Sequence, residues 1–154
     1  MTIVFRRSET LDLCALEFSG AVSIADLIAH LEFRATHADL QAADTFHFVH
    51  PDMLFTFPPE RIDDVRSHMR SMLAKAPLPV IRRTTWICKS DRALPHLKRW
   101  LLDRAPGEDG LYVTPRLVET IEEAAEWLIV PVGELRAFAA GERSRHVGTL
   151  EHTP

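Results

Sequence analysis

Apolar residues along the chain follow two alternating rhythms, one of period two and one of period near 3.6. Thr2 to Arg7 alternates apolar and polar positions, which predicts an edge strand. Leu11 to Phe18, LDLCALEF, is nearly continuous in its apolar character and predicts a more buried strand. The short polar SETLD between them predicts an antiparallel hairpin. Gly20 breaks the second strand, and Ser23 with Asp26 three residues on has the form of a capping box. Ile24, Leu27, Ile28, Leu31 and Ala35 then share one helical face, with His30 and Glu32 pointing elsewhere. THADLQAAD is a return loop, and TFHFVH, Thr45 to His50, is the third strand.

The same alternation continues. Pro58 and Pro59 suit the opening of a second helix, whose stripe is Ile62, Val65, Met69, Met72, Leu73 and Ala76. PLP, Pro77 to Pro79, ends it. RRTTWICK, β-branched and aromatic, is a fourth strand. Ser90 and Asp91 can cap a third helix lined by Leu94, Leu97 and Leu101, with Pro95 tolerated in its first turn. PGEDG is a turn, and a short strand within Leu111 to Glu119 is interrupted by Pro115. Thr120 and Glu123 form a second capping box before Ile121, Ala124, Ala125 and Leu128. Pro131 kinks or restarts this last helix. From Glu142 on the chain is polar and aperiodic, which predicts a loose tail.

The predicted order is β-β-α-β-α-β-α-β-α. It gives an α/β fold, with an N-terminal β-hairpin followed by successive βα units. The sheet is mixed and mainly parallel, of about five strands with about four helices. Residues 1–140 read as one domain and 141–154 as a flexible tail.

Composition narrows the function classes. Apolar residues make up 46% and charged residues 26% of the 154, an ordinary balance for a folded domain with a real core. A net charge of −4 gives nucleic-acid binding no electrostatic support, and the pairs Arg6-Arg7 and Arg82-Arg83 are too short to form a basic stripe. No apolar run approaches a membrane span, and the N-terminus carries no signal-peptide pattern, so a cytoplasmic protein is expected. Cys14 and Cys88 do not form a C-x-x-C pair, and neither a metal nor a cofactor is expected.

The hairpin, the Gly turn, VSIADLIAHLE, a buried strand, a helix and a strand ending in KSD occur in an order that resembles the STAS/SpoIIAA-like family. The closing VETIEEAAEWL, with Glu122, Glu123, Ala124, Trp127 and Leu128, is the most telling part. The resemblance covers Thr2 to about Val130. It implies a SpoIIAA-like fold and a binding or regulatory module rather than an enzyme. It also implies a phosphorylatable serine at the helix start after the third strand. Here that segment is HPDMLFTFPPER: Asp52 is present, no serine follows, and Thr56 is the hydroxyl available. The phosphate switch is therefore expected to be absent.

Several side chains bear on chemistry. His47 and His50 in one strand point to opposite faces and cannot share a metal. His50 ends the strand, where open α/β sheets place ligands, and Pro51 and Asp52 follow. The plainer reading gives His50 and Asp52 turn roles. In CKSD, Ser90, Lys89 and the free N–H groups of the next helix could hold an anion, or Ser90 is an ordinary N-cap. A Cys88–His50 nucleophile pair is conceivable, without an orienting group or oxyanion hole at recognisable spacing. His30 and His37 are expected to be solvated. The apolar Ile129, Val130, Val132, Leu135 and Phe138 either cover the sheet or form a homodimer contact.

The site expected is therefore formed by His50, Asp52, Phe55, Phe57, Lys89 and Ser90, on the loops after the third and fourth strands. It serves either a protein partner, met by an exposed Met53–Phe57 loop, or a small apolar-anionic ligand held in a closed pocket of a few hundred Å³.

Overall fold

Strands that read as unbroken apolar runs lie side by side at the centre of the sheet. The computed structural model describes residues 1–73, 82–102 and 113–152. In chain order the elements are β1 (Thr2–Ser8), β2 (Leu13–Ser19), β3 (Ala21–Val22), α1 (Ile24–Thr36), α2 (Ala38–Gln41), β4 (Asp44–Val49), β5 (Leu54–Phe55), α3 (Ile62–Leu73), β6 (Arg82–Cys88), α4 (Leu94–Leu102), β7 (Val113–Val118), α5 (Ile121–Leu128), α6 (Val132–Ala139) and β8 (Ser144–Glu151). A short 3-10 turn, Pro59–Arg61, leads into α3. The expected PLP stop, Ala76 and the PGEDG turn lie outside the described residues.

The main sheet has six strands in the order β7-β6-β4-β2-β1-β8. Neighbours from β2 to β7 are parallel, and β1 runs antiparallel to both β2 and β8. The protein is thus an α/β fold with a mixed, mostly parallel sheet and, among the described residues, six helices. This exceeds the expected five strands and four helices. One added element is the tail: residues expected to be loose form β8, paired with β1 from Thr2↔Glu151 to Ser8↔Ser144 with one bulge. Strand β8 alternates weakly because only its inner face is packed, by Val147 and Leu150. A second, two-stranded sheet joins β3 to β5 in parallel.

Parallel strands with helices on both faces must be apolar on both sides. Accordingly β2 places Cys14, Leu16 and Phe18 on one face and Leu13 and Ala15 on the other. The first face carries Phe5, Leu16 and Trp86 under Leu27 and Phe33 of α1 and Leu97 and Leu101 of α4, and α3 packs beside these helices. The second carries Phe46, Ile87 and Val118 under α5 and α6, which contribute Ala124, Ala125, Leu128, Leu135 and Phe138. The apolar C-terminal segment thus covers the sheet through Leu135 and Phe138, while Ile129 (76% exposed) and Val132 remain outside.

Caps close the helix ends. Ser23 and Asp26 form the complete capping box of α1: Asp26 N–H donates to Ser23 Oγ at 3.2 Å, and Ser23 N–H donates to the Asp26 carboxylate at 2.8 Å. Thr120 Oγ1 caps Glu123 N–H of α5 at 3.2 Å, but the Glu123 carboxylate reaches back to Glu119 N–H instead of Thr120. The C-cap of α5 is Ile129 at φ 57°, ψ 50°, where Gly or Asn is usual. A β-branched residue in this left-handed conformation costs about 1–2 kcal/mol.

Helix α1 is rotated relative to the expected stripe. Its fully buried residues are Asp26 and His30, while Ile24, Ile28 and Leu31 are half-buried. His30, expected in solvent, instead packs against Phe5 and edge-on to Phe18. Neither of its ring nitrogens has a hydrogen-bond partner, although the Leu27 carbonyl lies near enough to favour the charged ring slightly. Burial, and next the positive charge of Arg34, lower its pKa from 6.5 to about 3. His37 is half-buried, stacked on Phe33, with Nδ1 2.7 Å from the Phe33 carbonyl. His47 lies flat on Trp86, with centroids 3.8 Å apart and an interplanar angle of 2°. Its Nδ1–H donates to the Thr85 carbonyl at 3.1 Å. Its pKa is pushed well below the usual value by burial, then by Arg34 and His30.

Two predictions follow from this packing. A Cβ at Gly148 of β8 would sit 2.6 Å from Cζ of Phe33, whose ring is held between Phe5 and His37. Gly148→Val should cost about 1–3 kcal/mol in urea denaturation, and Phe33→Ala in the same chain should recover part of it; additive losses would mean the ring is not the obstacle. The buried histidines bind protons in the unfolded chain below pH 6.5, and His30 does so in the folded chain only near 3. Stability should therefore fall as pH drops from 6.5 toward 3. His30→Leu should make that fall shallower when urea midpoints are measured across the range. An unchanged slope would show that the native ring already titrates normally.

Candidate functional site

The carboxyl ends of β4 and β6 lie side by side, as the strand pattern implied. Lys89 N–H donates to the Val49 carbonyl at 2.9 Å, and His50 N–H to the Phe18 carbonyl at 2.9 Å. The expected site residues are thus brought to one end of the sheet, but the sheet divides them. Val49 and Cys88 face the first core, so the next residues, His50 and Lys89, turn to the second face.

On that second face the His50 imidazole is 40% exposed, with Nε2 3.6 Å from the Glu17 carboxylate. Its ring meets Phe48 edge-on at 4.9 Å. Glu17 also pairs with Arg6 across the β1–β2 hairpin. Lys89 Nζ donates to the Glu119 carbonyl at 3.2 Å, at the entry to α5. The result is a half-buried polar cluster, Arg6–Glu17–His50, beside a half-buried phenyl ring. Sequence reasoning missed Glu17, although a lone carboxylate inside the apolar LCALEFS was a visible signal.

On the first side the Met53–Phe57 loop is neither wholly core nor wholly exposed. Met53 is 1% exposed and is a core residue. Ser90, 2% exposed, donates its hydroxyl to the Met53 carbonyl at 2.5 Å and accepts from Ala93 N–H at 3.2 Å. It is therefore a helix cap that also pins the neighbouring loop. With both lone-pair and proton roles used, its hydroxyl is not free to hold an anion. The strand β5 brings Phe55 alongside Val22 of β3. Phe55 and Phe57 stay half-buried and enclose His96 of α4: Phe55 stacks on it at 4.5 Å, and Phe57 meets it edge-on at 5.4 Å. Nε2 of His96 lies 2.6 Å from the Phe57 carbonyl. Asp52 is exposed in the turn that Met53 N–H closes onto the His50 carbonyl. His96 could not be linked to this loop from sequence, because nothing local ties α4 to residues 39 positions earlier.

The Cys88 thiol donates to the Ser90 carbonyl at 3.2 Å, and burial raises its pKa. It faces the first core while His50 faces the other side, so the two do not form a nucleophile–base pair. Among the described residues, no three His, Cys, Asp or Glu side chains cluster as a metal site, and no helix is long and apolar enough to cross a membrane. A cleft of about 490 Å³ exists, but at the opposite end of the strands, beside Asp12, Asp44, Arg82 and Arg83.

Comparison with protein-family models, with curated proteins and with solved structures returns no match for this chain.

Proposed function

We propose that this protein is a non-catalytic, STAS/SpoIIAA-like regulatory module that meets a protein partner through the loops following β4 and β6. The observation that supports this reading is how the Met53–Phe57 loop is held. Met53 is sunk in the core and its carbonyl is tied to Ser90, while Phe55 and Phe57 remain half-exposed around His96. Aromatic rings on a fixed base lose little freedom on docking, and such side chains dominate protein interfaces. Asp52, exposed in the turn that leads into the loop, supplies a polar edge to this surface. The Thr56 hydroxyl bonds to the Val22 carbonyl at 3.4 Å, in keeping with a module that lacks the phosphorylation switch. Free thiols at Cys14 and Cys88 fit a reducing, cytoplasmic setting.

The alternatives have less support. A carrier pocket at this loop would need space that the His96 ring fills. An enzyme built on His50 and Cys88 would need them on one face. A homodimer through the C-terminal helix would have to rely on Ile129 and Val132, since Leu135 and Phe138 are spent on the sheet.

A photo-crosslinking residue at position 52 or 57 should give one discrete protein adduct in cells, and the same residue at the exposed position 122 should give none. Phe55→Ser with Phe57→Ser should abolish the adduct from position 52 while lowering stability by no more than about 1–2 kcal/mol. Global unfolding of that variant would show the rings to be core. Equal labelling from position 122 would remove the docking surface.

A further inference from the structure

We infer that the cleft at the amino ends of β4 and β6 is a binding site for a small organic anion, an oxyanion head on a short alkyl or aryl body. It lies at the end of the sheet opposite the proposed docking loops and does not depend on them. At about 490 Å³ it is of the size that small-molecule sites occupy.

The head group is specified by two arginines that hold the lining carboxylates Asp12 and Asp44 only loosely. Arg82 Nη1 is 3.8 Å from the Asp12 carboxylate, and Arg83 Nε is 3.6 Å from that of Asp44. Both are ion pairs too long to be hydrogen bonds. Each carboxylate has a closer donor elsewhere. Asp12 accepts from Arg7 Nη2 at 2.7 Å, and Asp44 accepts from the Arg83 backbone N–H at 2.9 Å. Nε of Arg82 is buried and has no partner. A buried donor left unpaired is costly, and guanidinium forks match the two oxygens of a carboxylate or phosphate. The Thr10 hydroxyl is already engaged by Glu134 at 3.3 Å, so Thr114 is the hydroxyl on the lining that can join the arginines.

The body is specified by the opposite wall, Leu128, Ile129 and Val130. Ile129 is 76% exposed and sits in the left-handed region at φ 57°. Folding explains neither property, because glycine would serve the α5 cap without strain and without exposing an apolar side chain. The chain uses glycine at two of its other positive-φ positions, Gly20 and Gly141, and the unbranched, polar Arg143 at a third, so Ile129 is the β-branched one among the described residues. Strain retained at a cleft wall, together with an uncovered sec-butyl side chain, argues for an apolar ligand surface that covers it.

Benzoate, octanoate and phenyl phosphate are suitable probes, with inorganic phosphate as the bare anion and phenethylamine as the opposite charge. In ¹H–¹⁵N and methyl NMR spectra of the full chain, the organic anions should saturably shift the Arg82 and Arg83 Nε–H signals and the Ile129 methyls, with Kd near or below about 1 mM. Phenethylamine should shift none of them. Carboxylate against phosphate preference is read from the relative affinities of benzoate and phenyl phosphate. Arg82→Gln with Arg83→Gln should weaken binding at least about tenfold. Ile129→Gly, which relieves the strained backbone and so remains folded, should weaken benzoate about fivefold or more and leave inorganic phosphate unchanged. No saturable shift of these signals by any organic anion would overturn the inference. So would benzoate affinity unaffected by Ile129→Gly, or binding that survives loss of both arginines.

Discussion

Burial of β2, β4 and β6 on both faces is the constraint from which the remaining architecture follows. Parallel strands joined by crossovers have no water-facing side, so every residue along them must be matched by a helix above or below. The chain meets this with α1, α3 and α4 on one face and α5 and α6 on the other. The row Phe5, Leu16, His47, Trp86, in register across four strands, shows how complete the burial is. A histidine in the middle of such a row survives because it is stacked, neutral and hydrogen-bonded through Nδ1. His30 above it is less well provided for, since both of its nitrogens lack partners. The core is therefore held by apolar packing and weakened by two groups that resist charging.

Much of this was legible in the linear pattern, and the failures have physical causes. LDLCALEF, TFHFVH and RRTTWICK announced buried strands because both faces are packed and no polar alternation interrupts them. Ser23 and Asp26 announced the start of α1 because a cap is a local interaction, decided within three residues. Strand β8 was not legible, because its outer face is solvated and its formation depends on pairing with β1, at the other end of the chain. The rotation of α1 was missed for a related reason. A stripe of Ile and Leu predicts which residues can be buried, but the contest between Leu31 and His30 was decided by Phe5 and Phe18 beneath the helix.

The candidate site divides along the same line. Strand ends can be read from sequence, and so His50, Lys89 and Ser90 were placed at one end of the sheet correctly. Their division between its faces follows from alternation, whereas the partners that define their roles do not. Ser90 is committed by a carbonyl 37 residues away, and His50 lies near a carboxylate in a strand that reads as simple core. The cleft at the opposite end is assembled from the β1–β2 turn, the starts of β4 and β6, and the end of α5. No local motif marks it. The nearest signal was the pair Arg82-Arg83, read as too short a basic run for nucleic acid, and the inferred anion site rests on the same two residues.

The pairing of β1 with β8 has a topological consequence. The Met1 amine donates to the His152 carbonyl at 2.8 Å, and His152 N–H donates to the Met1 carbonyl at 3.0 Å. Residues 1 and 152 thus face each other as one more rung of the β1–β8 ladder, next to Thr2 and Glu151. A short peptide splice between these two positions would join β8 to β1 as a hairpin, and would allow the chain to be opened instead at a surface turn such as the one around Asp52. Such a change would alter the order of the elements along the chain and leave the sheet order β7-β6-β4-β2-β1-β8 as it is.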